Sequence, residues 1–234
     1  MNNLIRNLAV PFALSMLVIL LPTQAMAGFV AYNVDSGAVG TQEFGASLGL
    51  DFIVNEPILV TQLGIFDSGS DGLGRDITAD LWSRNDGGTP DDFSDDAGID
   101  KLATLLFTSN DPGTLVNGNR LKPLASSLVL SPGAYTIVGH GYGAGEPNGN
   151  TAGPADDEKA VNDGGGLITF VGDARFGDPA TPGSFPGSKD GGPVNRYAAG
   201  TFEFQVVPEP ATSVLALLAI FMLLGYGARH RQLG

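Results

Sequence analysis

The sequence predicts an all-β protein: an antiparallel, jelly-roll-like β-sandwich with an N-terminal signal helix and a C-terminal transmembrane helix attached. Three observations point that way. Apolar and polar residues alternate at period two in two clear stretches, as they do along a strand with one face on a core. Glycine supplies 34 of 234 residues, about twice the usual ~7%, so the chain is dense in turns. No stretch of 28–207 holds a sustained 3.6-residue apolar period, which leaves little room for helix.

The elements follow in chain order. Residues 1–27 read as a secretory signal: a polar start with Arg6, an apolar run from Leu8 to Leu21 broken by Pro11, then Pro22. Ala25-Met26-Ala27 supplies the small–x–small cleavage pattern, so the mature chain is expected to begin near Gly28. The first clear strand sets Phe44, Ala46, Leu48, Leu50, Phe52 and Val54 on one face, with Glu43, Ser47, Asp51 and Ile53 opposite. Further β-type runs lie at Leu59–Phe66, Ile77–Trp82, Leu102–Phe107, Leu128–Leu130, Tyr135–His140 and Leu167–Val171. Phe202, Phe204 and Val206 alternate with Thr201, Glu203 and Gln205 in a last strand. The stretches 86–100, 141–166 and 172–195 are polar and rich in Gly, Pro and Asp, and are expected to be surface loops. With no internal repeat and no dividing linker, 28–206 reads as one domain.

The C-terminus is the most informative part. Between Glu209 and Arg229 no charged residue occurs, and Ala211 to Ala228 is almost wholly apolar. A helix over 211–228 would be about 27 Å long, close to a hydrocarbon core near 30 Å. The cluster Arg229-His230-Arg231 follows, and basic residues stay on the cytoplasmic side, so the body is expected to face outward. Val207-Pro208-Glu209-Pro210, the apolar run and the basic end containing Arg229 and Arg231 together resemble the PEP-CTERM sorting signal. That resemblance implies processing by exosortase, an integral membrane enzyme of Gram-negative bacteria that make extracellular polysaccharide. It also implies a temporary membrane tether over 207–234, then passage to the cell surface or matrix. The two prolines keep the tripeptide out of a helix or a central strand, as a processing enzyme requires.

A second resemblance covers much of 40–205. Leu63-Gly64-Ile65-Phe66-Asp67, Gly69-Ser70-Asp71-Gly72-Leu73, Ala79-Asp80-Leu81-Trp82, Ser131-Pro132-Gly133-Ala134-Tyr135 and Ala199-Gly200-Thr201-Phe202 carry it. This pattern is similar to the body domain common among uncharacterised PEP-CTERM proteins. It implies a small β-sandwich and no chemistry.

Charge excludes one class of partner. The formal net charge is −13; Arg6, Arg229, Arg231 and Glu209 lie outside 28–207, leaving 9 basic and 24 acidic residues inside it. Such a surface repels phosphates, so nucleic acid is not expected as a partner. Cysteine is absent, which removes disulfides, thiolate metal sites and thiol nucleophiles.

Among candidate sites, Asp67 and Asp71 stand four apart across glycines, and Asp91, Asp92, Asp95, Asp96 and Asp100 crowd a later loop. These carboxylates are candidate calcium ligands, because calcium takes six to eight hard oxygens from acidic loops. The first segment departs from an EF-hand: Gly69 occupies a ligand position and Thr78 stands where the closing Glu belongs. The competing reading is solvated turns. His140 is the only histidine of the body and lacks a Gly-x-Ser-x-Gly partner, so it is expected to end a strand. Gly139, Gly141, Gly143 and Gly145 lack the Lys-Ser/Thr ending and following helix of a phosphate loop, and read as a strand-to-loop transition. No carboxylate pair can be promoted to a glycosidase pair, so no catalytic residue is assigned. Trp82, Tyr135, Tyr142 and Tyr197 would stack on sugar rings if exposed; the default for Trp82 is packing at the core edge.

Two functions follow as expectations. The first is a non-enzymatic exported surface or matrix protein, handled by signal peptidase and exosortase and associated with extracellular polysaccharide. The second is a secreted carbohydrate-binding or carbohydrate-active sandwich module. A cleft with an exposed aromatic platform and two close carboxylates would favour the second.

Overall fold

The computed structural model describes residues 28–89, 95–150 and 160–207. The signal segment 1–27 and the tail from Pro208 onward, with Ala25, Ala27, Glu209, Pro210, Arg229 and Arg231, lie outside the described residues, as do Asp91 and Asp92. No helix among the described residues is long and apolar enough to cross a membrane.

Fifteen strands run in the order β1 (Phe29–Val30), β2 (Tyr32–Asn33), β3 (Leu48–Val54), β4 (Ile58–Phe66), β5 (Ile77–Asn85), β6 (Ala97–Phe107), β7 (Thr114–Val116), β8 (Asn119–Leu130), β9 (Gly133–His140), β10 (Gly149–Asn150), β11 (Ala160–Val161), β12 (Ile168–Phe176), β13 (Ser188–Asp190), β14 (Tyr197–Ala198) and β15 (Gly200–Val206). They form a five-stranded sheet, β1-β15-β4-β8-β7, and a six-stranded sheet, β13-β12-β3-β9-β5-β6. Two ribbons, β10-β14 and β11-β2, complete the set. Every strand pairing is antiparallel.

Alternation decides what faces the core. Leu48, Leu50, Phe52 and Val54 of β3 point inward and are buried, as are Ile137 on β9, Leu63 and Ile65 on β4, and Phe202 and Phe204 on β15. The Phe52 ring of one sheet stacks at 4.7 Å from the Phe202 ring of the other, which locates the sandwich interior. Burying each such side chain contributes roughly 1.5–3 kcal/mol. At one corner the backbones themselves meet. A Cβ on Gly139 would lie 2.8 Å from the Ala199 carbonyl carbon, and one on Gly200 would lie 2.8 Å from that of Val138. Only glycine at both positions lets β9 and β15 approach so closely.

Each predicted strand run coincides with or overlaps a strand, but the three expected loops are not wholly loops. Within 86–100 the chain has already entered β6 at Ala97; within 172–195, β12 continues to Phe176 and β13 forms; within 141–166, β10 and β11 form. β6 and β13 are edge strands and β10 and β11 are two-residue pairings, so no apolar alternation marks them. The end of β12 lies inside its sheet and is buried at Ala174 and Arg175; a register shift between Phe170 and Ala174 and a charged residue on the buried face hide it from periodicity. The segment 44–47, which continues the alternation of β3, is not strand. Strand β8 starts at Asn119 rather than Leu128, and its register to β4 shifts between Val60 and Gln62, beside Pro123. A proline and a bulge together hide such a strand from sequence periodicity.

Candidate functional site

Around its third strand, β3, the six-stranded sheet is covered on both faces. Asp51 of β3 points away from the core, as the alternation predicts, yet it is fully buried. Arg175 of β12 donates from Nε to Asp51 Oδ2 at 2.5 Å, and Thr136 of β9 donates its hydroxyl to Asp51 Oδ1 at 2.6 Å. Arg84 of β5 lies with Nε 3.7 Å from Asp51 Oδ1 and donates from Nη1 to Asp96 Oδ1 at 2.8 Å. Asp96, just before β6, also pairs with Arg175. Two carboxylates and two guanidiniums thus alternate within one enclosed cluster. Burial pulls the Arg175 guanidinium below its ordinary range, and the charge and hydrogen bond of Asp51 oppose that.

The segment 177–187 closes over this face. Phe185 meets the Trp82 ring edge-on at 5.8 Å and lies 5.7 Å from the Arg175 guanidinium carbon, while Gly183 accepts from Lys101 Nζ at 3.0 Å. Beneath it Asp80 gathers Lys101 at 2.8 Å, His140 Nε2 at 3.2 Å, and the Thr104 hydroxyl. His140 does end β9, as expected. Trp82 packs on the outer face of its sheet rather than on the interior, half-buried under Phe185 and with Lys101 5.1 Å from its ring.

The acidic candidates separate. Asp67 directly follows β4 and is fully buried; Arg120 Nε donates to its Oδ2 at 2.6 Å and the Gly72 amide approaches both oxygens at 3.3 Å. Its carboxylate is therefore committed to a guanidinium, while Asp71 is exposed. Asp95 accepts from the Thr89 hydroxyl at 3.2 Å, and Asp96 belongs to the buried cluster. Among the described residues no group of three or more His, Asp or Glu is arranged to hold a metal ion.

Sequence reasoning missed Glu146. It closes the Gly143–Glu146 turn, in which Gly145 has φ +86. Its buried carboxylate accepts from the amides of Ser68 at 2.8 Å and Gly74 at 2.9 Å, which ties down the 67–74 loop. Burial pushes this carboxyl up, the two amide bonds pull it down, and Asp67 and Asp71 add repulsion. Glu146 and Asp67 are both buried and committed to holding loops, Glu146 through the Ser68 and Gly74 amides and Asp67 through Arg120 and the Gly72 amide.

Two of the tyrosines named as sugar platforms are corrected by burial. Tyr142 donates to the Ala199 carbonyl at 2.9 Å and accepts from the Phe66 amide at 3.1 Å, deep in the core. Tyr197 is 2% exposed and donates to Asp190, and burial, with that bond, holds its hydroxyl protonated well above the ordinary range. Tyr135 is half-buried, bonded to the Ser131 carbonyl at 2.9 Å.

Concave sites on the described residues include two. One, of about 210 Å³, is bordered by Phe44, Phe176, Gln42, Asn150, Asp190 and Tyr197. The other, of about 450 Å³, runs past Asn162, Asp163, Thr169 and Phe170. Neither is lined by the buried ionic cluster or by Glu146 and Asp67. No family model matches the chain, and neither a curated protein nor a solved structure matches it.

Proposed function

We propose that this chain is a non-enzymatic exported surface or extracellular-matrix protein, sorted through its C-terminal tail and associated with extracellular polysaccharide. The observation that carries the reading is the tail itself: Pro208-Glu209-Pro210, an uncharged apolar run over 211–228, and Arg229-His230-Arg231. Signal peptidase acts after Ala27, the apolar helix holds the chain in the inner membrane with the body outside, and exosortase cuts near the tripeptide. The body is read as jelly-roll-like in its winding, and nucleic acid has no place among its partners. Consistent with a passive body, the enclosed carboxylates are matched by Arg84, Arg175, Lys101 and Arg120 or by backbone amides, which leaves them as structure and not as acid–base pairs. Calcium enters only as a stabiliser, at Asp67 and Asp71 or over 91–100; an unfolding temperature identical with calcium and with chelator removes it.

The test is to replace Pro208, Glu209 and Pro210 together by alanine in the native host and follow the protein by cell fractionation and intact mass. The expected outcome is uncut protein retained in the membrane fraction. Normal release with an unchanged mass would sink the proposal. The second reading, a carbohydrate-binding module, is favoured by the smaller concave site, with its aromatic wall and its amide and carboxylate rim.

A further inference from the structure

The smaller concave site has a construction that the buried ionic clusters lack. It lies where the start of β3, the ends of β12 and β13 and the β10-β14 ribbon converge. Its floor is Leu48, 1% exposed, and its wall is Phe176, which keeps 37% of its surface exposed and is held edge-on by Phe44 at 6.5 Å and 82°.

The rim is polar and fixed in place. Gln42 Oε1 accepts from Asn148 Nδ2 at 3.0 Å and from Asn150 Nδ2 at 2.8 Å. The Asn150 backbone is clamped by the Thr41 hydroxyl, which accepts from its amide at 3.0 Å and donates to its carbonyl at 2.8 Å. With Nδ2 so engaged, the orientation of the Asn150 amide is determined, and its Oδ1 is buried with no hydrogen-bond partner among the described residues. A buried acceptor left unpaired costs about 1–3 kcal/mol, which a ligand donor would recover. Across the rim, Asp190 is oriented by the Tyr197 hydroxyl and by Arg196. Its charge is thereby matched, and Oδ1 also accepts from the Gly192 amide at 2.9 Å, which leaves a second lone pair for another donor on Oδ2.

We propose that this site binds a single neutral saccharide ring. The inference rests on the polysaccharide reading above and names the place where the polymer would be gripped. A sugar ring offers what the site lacks: hydroxyl donors for Asn150 Oδ1 and Asp190, and a face of C–H bonds for Phe176. The matched charge of Asp190 argues against a cationic ligand, and an acceptor-rich rim on an acidic protein argues against an anionic one. At about 210 Å³ the space suits one ring and not a bound oligosaccharide or a larger cofactor, whose pockets start near ~300 Å³.

The full-length protein, in a sugar-free zwitterionic detergent, is titrated with glucose, galactose, mannose and N-acetylglucosamine under saturation-transfer difference NMR. At least one is expected to show transfer to its ring C–H protons. Phe176→Ala should weaken that binding about tenfold, and Phe176→Tyr should restore it, with the fold checked by circular dichroism. Should Phe176→Ala fail to fold, Asn150→Leu, which keeps volume and removes the acceptor, is expected to give the same loss. Absence of transfer to all four sugars, or equal binding by a folded Phe176→Ala, overturns the site. A parallel pull-down on the host's matrix polysaccharide separates the two ideas. Retention that Phe176→Ala leaves intact overturns the site alone. Failure of the wild type to be retained overturns the polysaccharide reading, while monosaccharide binding lost in Phe176→Ala still supports the site.

Discussion

Asp51 is enclosed between two guanidiniums and a threonine hydroxyl, with no solvent to screen it. Its place in the fold is a matter of balance rather than of attraction alone. Desolvating the charges costs about what their pairing returns, so the whole cluster adds little net stability, whereas stranding one member is severe. Asp51→Ala removes the carboxylate that both Arg175 and Arg84 approach. The expected loss is about 3–5 kcal/mol of unfolding free energy, read from urea titration followed by far-ultraviolet circular dichroism. A loss under about 1 kcal/mol would mean that water reaches the cluster and solvates the guanidiniums. Glu146 is the counterpart in a loop: a carboxylate with no ion pair among the described residues, stabilised by two backbone amides. Nothing in its local sequence, Gly145-Glu146-Pro147, separates it from a solvated turn acid.

At the scale of elements, the segment 177–187 determines whether the outer face of the six-stranded sheet is surface or interior. Phe185 is its anchor, seated against Trp82, Arg175 and the space beside Gly98, where a Cβ would come within 2.5 Å of the ring. Trp82 is the sole tryptophan of the chain, so its emission reports this contact directly. Phe185→Ala is expected to shift that emission to longer wavelength and to cost less than the ~3–5 kcal/mol of a fully buried phenylalanine, since Phe185 is only half-buried. Unchanged emission would show that the segment does not depend on this ring. The run 172–195 reads in sequence as a loop, and its middle is one. What sequence does not reveal is that the loop folds back as a lid, because that depends on Gly98 and Gly49 leaving room for Phe185 and Pro186.

At the scale of the molecule, the order of strands ties the last element to the first. β15 lies inside the five-stranded sheet between β1 and β4, and it carries Phe202 and Phe204 into the core. Val206 ends it, one residue before Val207 and two before Pro208. A cut at the tripeptide therefore removes nothing from the sandwich. A chain ending at Val207 is expected to unfold cooperatively at the same urea midpoint as the full-length protein, whereas one ending at Ala199 should show no cooperative transition. A stable fold in the shorter chain would mean that β15 is dispensable, and the central place given to it here would be wrong. The phenylalanine alternation over 202–206 marks β15 in sequence, and its position between two other strands does not.

The sequence alone determined the class of fold and the strands with one wet face, because period-two alternation is a local property that each strand carries by itself. It also set the net negative charge and, with no cysteine, the absence of disulfides. Tertiary structure alone decided which polar residues are interior. Asp51 stands where alternation puts a surface residue, and it is buried because a segment more than 120 positions away closes over it. Tyr142 and Tyr197 were turned inward by partners at distant positions in the chain or on a neighbouring strand. The saccharide site is of the same kind: Gln42, Asn150, Phe176 and Asp190 have no spacing in common, and only the convergence of two sheet ends makes them neighbours. Local periodicity records which face of a strand is apolar; it holds no information about what folds back to cover the other face.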